Sequence, residues 1–212
     1  MMLEEMALAD RDEPWLREQP PVPPEGFRVL VVGAGVSGIA LGWKLGQAGI
    51  PYTIVDKNER LGGTWWENTY PECGCDVPNH FYSFSKRPNP DWTGYFSKSE
   101  EILGYLERCA AEFGVLPNIR YGAEVTLLEW DDDNAGWTAH LRLADGSTDT
   151  VTASAVISAV GQLNRPKLPD IAGLADFQGP AFHTARWRHD VSLEGKRVAV
   201  IGTGASAMQL LR

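Results

Sequence analysis

The sequence has few cysteines and no cysteine pattern that would cross-link or bind metal. Cys73, Cys75 and Cys109 are the three cysteines among 212 residues. An odd, low count in a chain of this length does not indicate a disulfide framework. The Cys73-x-Cys75 pair lacks the second cysteine pair or histidine cluster that a zinc site needs. We therefore interpret all three as structural thiols in a reducing compartment, and we predict no metal site.

The sequence also lacks a basic run and a long hydrophobic run. Its 19 Lys and Arg face 28 Asp and Glu, which gives a formal net charge of -9. This balance argues against binding to nucleic acid or to an anionic membrane. The most apolar stretch, residues 29–45, is interrupted by glycines and is too short to span a membrane. The first 25 residues are acidic and contain no signal-peptide core. These features predict a cytoplasmic protein without a nucleic-acid or membrane partner.

What the sequence does contain is enough apolar and aromatic material for a packed core. Hydrophobic residues make up 43% of the chain, and eight Trp are present. A disordered chain is poor in such residues. The length suits one domain, or one domain and a piece of another. Residues 1–25 end in a proline-rich stretch and are interpreted as an arm.

The pattern along the rest of the chain predicts an alternation of strands and helices. A β-branched run at 27–32 predicts a buried strand, and residues 36–48 predict a helix ended by Gly49. With the strand predicted at 51–56, this is a βαβ unit. A long aromatic-rich loop over 57–98 separates it from a helix at 100–113 capped by Ser99. Strands are predicted at 124–130, 137–143, 148–152 and 155–160, with Asp145-Gly146 as a hairpin turn. A proline-rich connector over 161–190 follows. A last strand at 197–201 leads into a helix from Ala205.

The glycine motif Gly33-Ala34-Gly35-Val36-Ser37-Gly38 lies between the first predicted strand and helix. Asp56 ends the next strand, 56 − 33 = 23 positions later. In dinucleotide-binding folds, glycines in these places permit a tight turn, a close approach of pyrophosphate, and close packing of helix on strand. The helix N-terminus offers free N–H groups to phosphates. The Asp56 carboxylate can accept hydrogen bonds from ribose hydroxyls. A glycine turn without a ligand is the weaker interpretation.

A second glycine motif, Leu61-Gly62-Gly63-Thr64-Trp65-Trp66, stands at the start of the aromatic-rich loop. Adjacent glycines allow backbone to approach a flat or charged ligand closely. On spacing alone, however, an ordinary tight turn beside core tryptophans is equally possible.

At this motif the sequence resembles a known family. The resemblance is to the flavin-binding stretch of Baeyer–Villiger monooxygenases, in particular the 4-hydroxyacetophenone monooxygenase branch. It covers residues 62–65, 68–71, 75–76, 78–80, 82–84 and 89–92. Residues 157–166 resemble the family's link between its flavin and nicotinamide domains. Phe177, Gly179, His183 and Trp187 match the F-x-G-x-x-x-H-x-x-x-W pattern of these enzymes. Related nitrogen- and sulfur-oxidising enzymes typically carry Tyr at the last position.

The resemblance implies FAD and NADPH as cofactors and a small ketone or aldehyde and O₂ as substrates. NADPH would reduce FAD, and the reduced flavin would use O₂ to insert one oxygen atom beside the carbonyl, giving an ester or lactone. It also implies a Rossmann-like α/β FAD-binding domain, formed by a parallel sheet with a small antiparallel meander, and the start of a second, NADP-binding Rossmann domain. The implied divisions are the arm at 1–25, the FAD-binding part at 26–165, the linker at 166–194 and the NADP-binding start at 195–212.

The resemblance assigns binding roles but no catalytic residue within the chain. The implied FAD contacts are Gly33, Gly35, Gly38, Asp56, Lys57, Gly63, Thr64, Trp65, Asp76, Tyr82 and Val125. The implied NADP contacts are Gly202, Gly204, Ala205, Ser206 and Ala207. Asp76 has a supporting role, because it resembles the aspartate that holds an active-site arginine expected beyond residue 212. The family often has Gly and Arg where this chain has Glu72 and Gly74, and Pro or Asp where it has Arg188.

Several alternatives compete with the interpretation of the chain as an N-terminal fragment of such an enzyme. Since the family is much longer, our hypothesis is that these residues are a shortened gene product, with Met208, Leu210 and Leu211 exposed or irregularly packed. One alternative is a non-catalytic FAD-binding remnant, or a protein that folds only with a partner supplying the missing half. Another is a nitrogen- or sulfur-oxidising flavin monooxygenase. A flavin disulfide reductase is disfavoured, because the Cys73-x-Cys75 spacing does not match its redox cysteine pair.

Overall fold

The computed structural model describes residues 22–211, in which seven β-strands and four α-helices form. The predicted arm therefore lies outside the described residues apart from residues 22–25, as does Arg212. The strands are β1 (Val29–Val32), β2 (Tyr52–Val55), β3 (Ile119–Arg120), β4 (Ala123–Asp131), β5 (Gly136–Leu143), β6 (Thr148–Ala153) and β7 (Ala155–Ser158), and the helices are α1 (Val36–Gln47), α2 (Thr64–Glu67), α3 (Ser99–Glu112) and α4 (Ala205–Leu210).

A four-stranded parallel sheet forms the middle layer, in the order β3-β2-β1-β7. Strand β1 pairs in parallel with β2 on one side and with β7 on the other. Side chains alternate between the two faces of a strand. Val29 and Val31 accordingly pack into one core cluster, while Leu30 packs into another on the opposite face. Both faces of the sheet are covered, which explains why these strands are apolar throughout.

Helices α1 and α3 cover one face of the parallel sheet. Ile39 of α1, with Ile102 and Leu106 of α3, joins Val29, Val31 and Ile54 of the sheet in one buried cluster. The positions of Ile102 and Leu106, four residues apart, lie on one side of the helix. The helix layer thus fixes α1, and with it the turn that precedes α1.

The antiparallel meander β4-β5-β6 covers the other face. Val55 of β2 and Leu30 of β1 pack against Ala139 and Leu141 of β5. The register of β4 on β5 shifts between Val125 and Leu127, which marks a β-bulge. The turn at Asp145 and Gly146 joins β5 to β6, with Gly146 at φ +83°, so the hairpin predicted from these two residues is confirmed.

Two predictions about elements are wrong. Ser99 is not the helix cap, because α3 begins at Ser99 itself and Lys98 occupies the cap position without a side-chain cap bond. Residues 197–201 are not in a strand of the described chain. Their apolar pattern suits a strand, but a strand needs a neighbour to accept its backbone hydrogen bonds. Within the described residues, both sheets are formed by β1–β7 alone.

The remaining boundaries agree with the predictions to within a few residues. The predicted strands at 27–32 and 155–160 are shorter, at Val29–Val32 and Ala155–Ser158. Met208 and Leu211 are exposed, as expected, while Leu210 is half-buried. In the described part of the chain, no helix is both long enough and apolar enough to cross a membrane.

Candidate nucleotide-binding site

The first glycine turn lies at the carboxyl edge of the parallel sheet, between β1 and α1. Gly33 has φ +110°, a conformation that favours glycine. A methyl group on Gly33 would lie 2.6 Å from the Ala159 carbonyl oxygen, which follows β7. A methyl group on Gly38 would lie 1.9 Å from the Gly33 carbonyl oxygen. The turn therefore depends on both glycines to pack between two strands and the helix.

The second glycine turn packs directly on the first. The backbone N–H of Gly62 donates to the Ala34 carbonyl oxygen at 3.0 Å. Gly62 and Gly63 have φ of +122° and +54°. A methyl group on Gly63 would lie 3.2 Å from the Cα of Gly35, so the two backbones approach each other closely. Gly62-Gly63 is thus a structural partner of the first turn, which spacing alone did not decide.

Asp56 lies at the same edge, directly after β2, and its carboxylate is buried. One oxygen, Oδ2, accepts a hydrogen bond from the backbone N–H of Ala34 at 2.6 Å. The other, Oδ1, accepts one from Asn58 N–H at 2.8 Å. The carboxylate is therefore fixed against the glycine turn. Each oxygen keeps a further lone pair for a hydroxyl donor.

Trp65 and Tyr82 form a bonded aromatic pair beside the second turn. The Trp65 Nε1 donates to the Tyr82 hydroxyl oxygen at 2.9 Å, and the two rings meet edge to face at 5.4 Å. Trp65 is buried. Burial raises the pKa of the Tyr82 phenol above its ordinary value, although the Trp65 hydrogen bond opposes that rise. Tyr82 is consequently a neutral hydroxyl group near neutral pH.

The other residues assigned to FAD by resemblance lie at different depths. Thr64 and Asp76 are exposed, Thr64 at the start of α2 and Asp76 next to the buried Cys75. Lys57 Nζ lies 3.0 Å from both Glu67 Oε1 and Asn164 Oδ1. Val125 lies at the bulge of β4 and packs against the meander core. The chain brings Gly33, Gly35, Gly38, Asp56 and Gly63 together at one edge.

The linker motif is held by local contacts among its own residues. The ring of Phe177 covers Gly179, where a methyl group would lie 2.7 Å from the ring carbon Cζ. His183 Nδ1 accepts a hydrogen bond from Ala185 N–H at 3.0 Å and caps the short 3-10 turn Thr184–Arg186. Trp187 meets Phe182 edge to face at 5.1 Å. In this arrangement His183 orders the linker backbone.

The third glycine turn precedes α4 and is open. Gly202 has φ +118°, close to the +110° of Gly33 in the first turn. A methyl group on Gly202 or Gly204 would meet nothing within 4 Å. Ala205 and Ser206 begin α4, and Ala207 on the same helix is buried. The third turn therefore resembles the first in backbone conformation but lacks the close neighbours of the first.

Three residues near these turns were missed by the sequence analysis. Tyr70 donates its hydroxyl proton to Gln209 Oε1 at 2.7 Å, across 139 positions of sequence. Glu67 accepts from Lys57 and from Asn58 Nδ2, the latter at 2.9 Å. The one available signal was Gln209 itself, a polar residue in the otherwise apolar end of α4. Tyr70 was part of the resemblance but received no role.

Burial governs the ionisation of the groups around Tyr70. It raises the pKa of Tyr70 to about 12, a rise that the Ser206 side chain partly opposes. It also raises the pKa of the Cys73 and Cys75 thiols. All three cysteines are buried and none forms a disulfide, and a protonated, buried thiol is a poor nucleophile. Among residues 22–211, no cluster of His, Cys, Asp and Glu could hold a metal ion.

A glycine turn between a parallel strand and a helix, with an acid at the end of the next strand, defines a Rossmann-like dinucleotide-binding protein. The family model described as flavin-binding monooxygenase-like matches residues 26–211. The chain belongs to this family, so the family resemblance noted in the sequence is confirmed, and its assignment to the 4-hydroxyacetophenone branch stays a prediction.

Two relatives and two solved structures illustrate the similarity. A Baeyer–Villiger monooxygenase of Streptomyces coelicolor is 46% identical over 88% of this chain and 35% of its own length. The uncharacterised monooxygenase y4iD of Sinorhizobium fredii is 45% identical over 89% of this chain and 28% of its own. OTEMO in complex with FAD and NADP superposes with a TM-score of 0.77 at 33% identity, over 88% of this chain and 36% of that one. Closed cyclohexanone monooxygenase gives 0.74 at 34% identity, over 87% and 35%.

The matches cover only part of each longer protein. The chain spans between 28% and 36% of the relatives it matches. It corresponds to about a third of their length, and in that third it contains the first glycine turn, the linker motif and the third glycine turn.

Proposed function

We propose that this chain binds FAD at its first two glycine turns and contributes to an NADPH site at its third. The protein to which it corresponds is a Baeyer–Villiger-type monooxygenase. The observation that carries the proposal is the meeting of Gly35 and Gly63 beside the buried carboxylate of Asp56. Glycine backbone without side chains allows a pyrophosphate to approach, and a fixed carboxylate can accept hydrogen bonds from a ribose. The similarity to OTEMO, solved with FAD and NADP, supports the same cofactors.

The residues at the first turn fit the adenosine diphosphate part of FAD. Free N–H groups at the start of α1 can bind the pyrophosphate, because Gly35 has no side chain in the way. The spare lone pairs of Asp56 can accept the ribose hydroxyl protons. Lys57 can contribute positive charge nearby. Gly38 serves the close packing of helix on strand rather than contact with the cofactor.

The residues beyond the second turn fit the flavin end. The proposed flavin contacts after Gly63 are Thr64, Trp65, Asp76 and Tyr82. The hydrogen bond between Trp65 and Tyr82 fixes the orientation of these two rings. Val125 is the last residue of the proposed FAD set. For NADPH we propose Gly202, Gly204, Ala205, Ser206 and Ala207. Phe177, Gly179, His183 and Trp187 form the linker between the two sites.

When bound, FAD supplies the redox and oxygen chemistry, and the polypeptide binds, orients and excludes water. The proposed substrates are O₂ and a small ketone or aldehyde, which would yield an ester or lactone. Trp187 favours this reaction over nitrogen or sulfur oxidation, since the related oxidising enzymes typically have Tyr there. The cytoplasmic location remains a prediction from the sequence.

The sharpest test of FAD binding is Gly35→Ala. Gly35 has φ -80°, and a methyl group there would lie 3.7 Å from its nearest neighbour, Gly63 Cα. The variant should therefore fold, yet its methyl group would occupy the approach of the pyrophosphate. We expect FAD affinity, measured by titrating flavin fluorescence, to fall at least about tenfold, or roughly 1.4 kcal/mol.

The matched control is Gly46→Ala on the same helix. Gly46 is exposed, and a methyl group there would lie 4.0 Å from Tyr52. This variant should bind FAD like the wild-type chain. Equal affinity of the Gly35→Ala variant and the wild type would contradict the assignment. Asp56→Ala should also weaken binding, but it is a less specific test because it removes two backbone hydrogen bonds.

Anaerobic addition of NADPH to the flavin-loaded chain separates the enzymatic interpretation from its alternative. Bleaching of the flavin absorbance would support both nucleotide sites. A spectrum that stays oxidised would favour a non-catalytic FAD-binding remnant. Where reduction occurs, turnover of ketones against thioethers and amines distinguishes Baeyer–Villiger oxidation from nitrogen or sulfur oxidation.

A further inference from the structure

The segment 67–74, between the second glycine turn and Asp76, receives three side chains from the far end of the chain. Arg186 lies 3.8 Å from Glu67, and His189 Nε2 lies 2.8 Å from Thr69 Oγ1. Gln209 bonds Tyr70 and Gly74. The contacts run in the same order along both segments. The linker and α4 therefore contact residues 67–74, which we call the docking segment.

The Gln209 amide makes the most complete of these contacts. Its Oε1 accepts the Tyr70 hydroxyl proton at 2.7 Å and the Gly74 N–H at 3.4 Å. Its Nε2 donates to the Gly74 carbonyl oxygen at 2.8 Å. Both ends of the amide are thus engaged, which fixes its orientation. Gln209 belongs to α4, which directly follows the third glycine turn. The same contact therefore positions that turn.

The other two contacts are weaker candidates for a coupling role. The Arg186 side chain is 53% exposed and its distance to Glu67 is long for an ion pair. His189 is exposed as well. Exposed ion pairs contribute little, whereas a hydrogen bond shielded from water is electrostatically stronger. Tyr70 is only 7% exposed, so its bond to Gln209 is the shielded one.

The two glycines of the third turn are openly packed. A methyl group on Gly202 or Gly204 would meet no neighbour within 4 Å. The first turn, in contrast, packs tightly on Ala159 and on Gly63. The location of the third turn relative to the first therefore depends on what α4 contacts, which is the docking segment, through Gln209 and through the Ser206 side chain at Tyr70.

We propose that Gln209 is a positioning residue that couples the two nucleotide sites. FAD at the first two turns holds the docking segment, the docking segment holds Gln209, and Gln209 holds the third turn in place to bind NADP(H). This inference rests on the proposed function. Coupling of this kind is reciprocal, so each nucleotide should raise the affinity for the other by the same factor.

The test compares the dissociation constant of NADP⁺ for the 212-residue chain with and without saturating FAD, by isothermal titration. The wild-type chain should bind NADP⁺ at least about fivefold more tightly with FAD, the lower end of usual coupling. In Gln209→Ala this ratio should fall towards one while FAD affinity stays unchanged. Met208→Ala, an exposed neighbour on α4, should keep the wild-type ratio.

Two further variants keep the test valid if Gln209→Ala lowers the stability of the chain. Tyr70→Phe removes only the hydroxyl group and should lower the ratio partway. Gln209→Glu keeps the acceptor for Tyr70 and loses the donor to Gly74, and should also lie between the wild type and Gln209→Ala. In the double variant Tyr70→Phe/Gln209→Ala, the ratio should fall by less than the two single effects combined, because both changes break the Tyr70–Gln209 contact, although Tyr70→Phe also removes the contact of Tyr70 with Ser206.

The outcomes separate this inference from the proposed function. If the wild type binds both nucleotides with a ratio of one, or if Gln209→Ala keeps the wild-type ratio, the coupling role is wrong and nucleotide binding stands. If the wild type binds neither FAD nor NADP⁺, the proposed function is wrong, and the coupling inference is wrong with it.

Discussion

At the residue scale, Asn79 shows how the long aromatic-rich loop is ordered without regular secondary structure. Its side chain is 1% exposed. Its Nδ2 donates to the Gly94 carbonyl oxygen at 2.8 Å and to Ser97 Oγ at 2.6 Å, and its Oδ1 accepts from Ser97 N–H at 3.0 Å. One amide therefore ties residues 76–84, which include Asp76 and Tyr82, to residues 94–97.

Replacing Asn79 by Ala should destabilise the chain. The change leaves buried partners of the amide without hydrogen bonds, and each such loss costs about 1–3 kcal/mol. We expect the free energy of unfolding, from urea titration followed by circular dichroism, to fall by about 2–4 kcal/mol. Asn89→Ala, in the same loop but with an exposed contact, should change it by less than about 0.5 kcal/mol. Equal stability of the two variants would contradict the role of Asn79.

Tyrosine ionisation at the same scale predicts a loss of stability in alkali. Burial raises the pKa of Tyr70 to about 12, and it also raises the pKa of Tyr82 and Tyr105 from the ordinary value of 10.0. Between pH 10 and pH 12 the unfolded chain loses phenolic protons that the folded chain keeps. Since the folded state then binds more protons, stability should fall as the pH rises through this range.

Two measurements check this expectation. The urea midpoint should decrease steadily above pH 10, and the tyrosinate absorbance of the folded chain should rise later in pH than that of the chain in concentrated urea. Coincident titration curves in the two states would show that the buried phenols ionise freely. In Tyr70→Phe, the decrease of the midpoint between pH 10 and pH 12 should be shallower.

Residue types predicted the first glycine turn but not the contacts that reach across the chain. Gly33, Gly38 and Asp56 were identifiable because their chemistry is local to one βαβ unit. The Tyr70–Gln209 bond joins residues 139 positions apart, and nothing in either local pattern indicates the partner. The packing of Gly63 on Gly35 is of the same kind, because it depends on the path of the loop between them.

At the element scale, the success of a strand prediction depended on whether a neighbour was available. The meander was predictable because Asp145 and Gly146 bring β5 and β6 together through a short turn. Residues 197–201 have an equally apolar pattern but no adjacent strand in the described chain, and Val198 and Ile201 are exposed. Sequence periodicity reports the preference of a segment and not the presence of its partner.

The meander layer should contribute to stability through β5. Leu141 is 1% exposed and packs with Leu30 and Val55 beneath the parallel sheet. Leu141→Ala should lower the free energy of unfolding by about 2–5 kcal/mol, since it leaves a cavity. Leu127→Ala on β4, where the side chain is 51% exposed, should cost less than about 1 kcal/mol. Urea unfolding measures both, and similar losses would show that the meander does not pack as described.

At the scale of the whole molecule, the chain divides into a layered body and a peripheral part. The body has a helix layer, a parallel sheet and a meander, with a buried cluster on each side of the sheet. The peripheral part, residues 161–211, has two 3-10 turns and the six-residue α4. It is joined to the body largely by side-chain contacts, at Asn164, Arg186, His189 and Gln209.

This division predicts that local stability differs along the chain, because segments with few buried contacts open more readily. In hydrogen exchange followed by mass spectrometry, peptides from β1, β2, α1 and α3 should exchange slowly, through global unfolding. Peptides covering residues 197–204 should exchange within seconds, since no strand protects them.

Saturating FAD should slow peptides from the docking segment and, in the wild type, also those from α4. In Gln209→Ala the protection of the docking segment should remain while that of α4 is lost. Loss of both together would mean that the variant has lost FAD, and retention of both would mean that α4 is held by contacts other than Gln209.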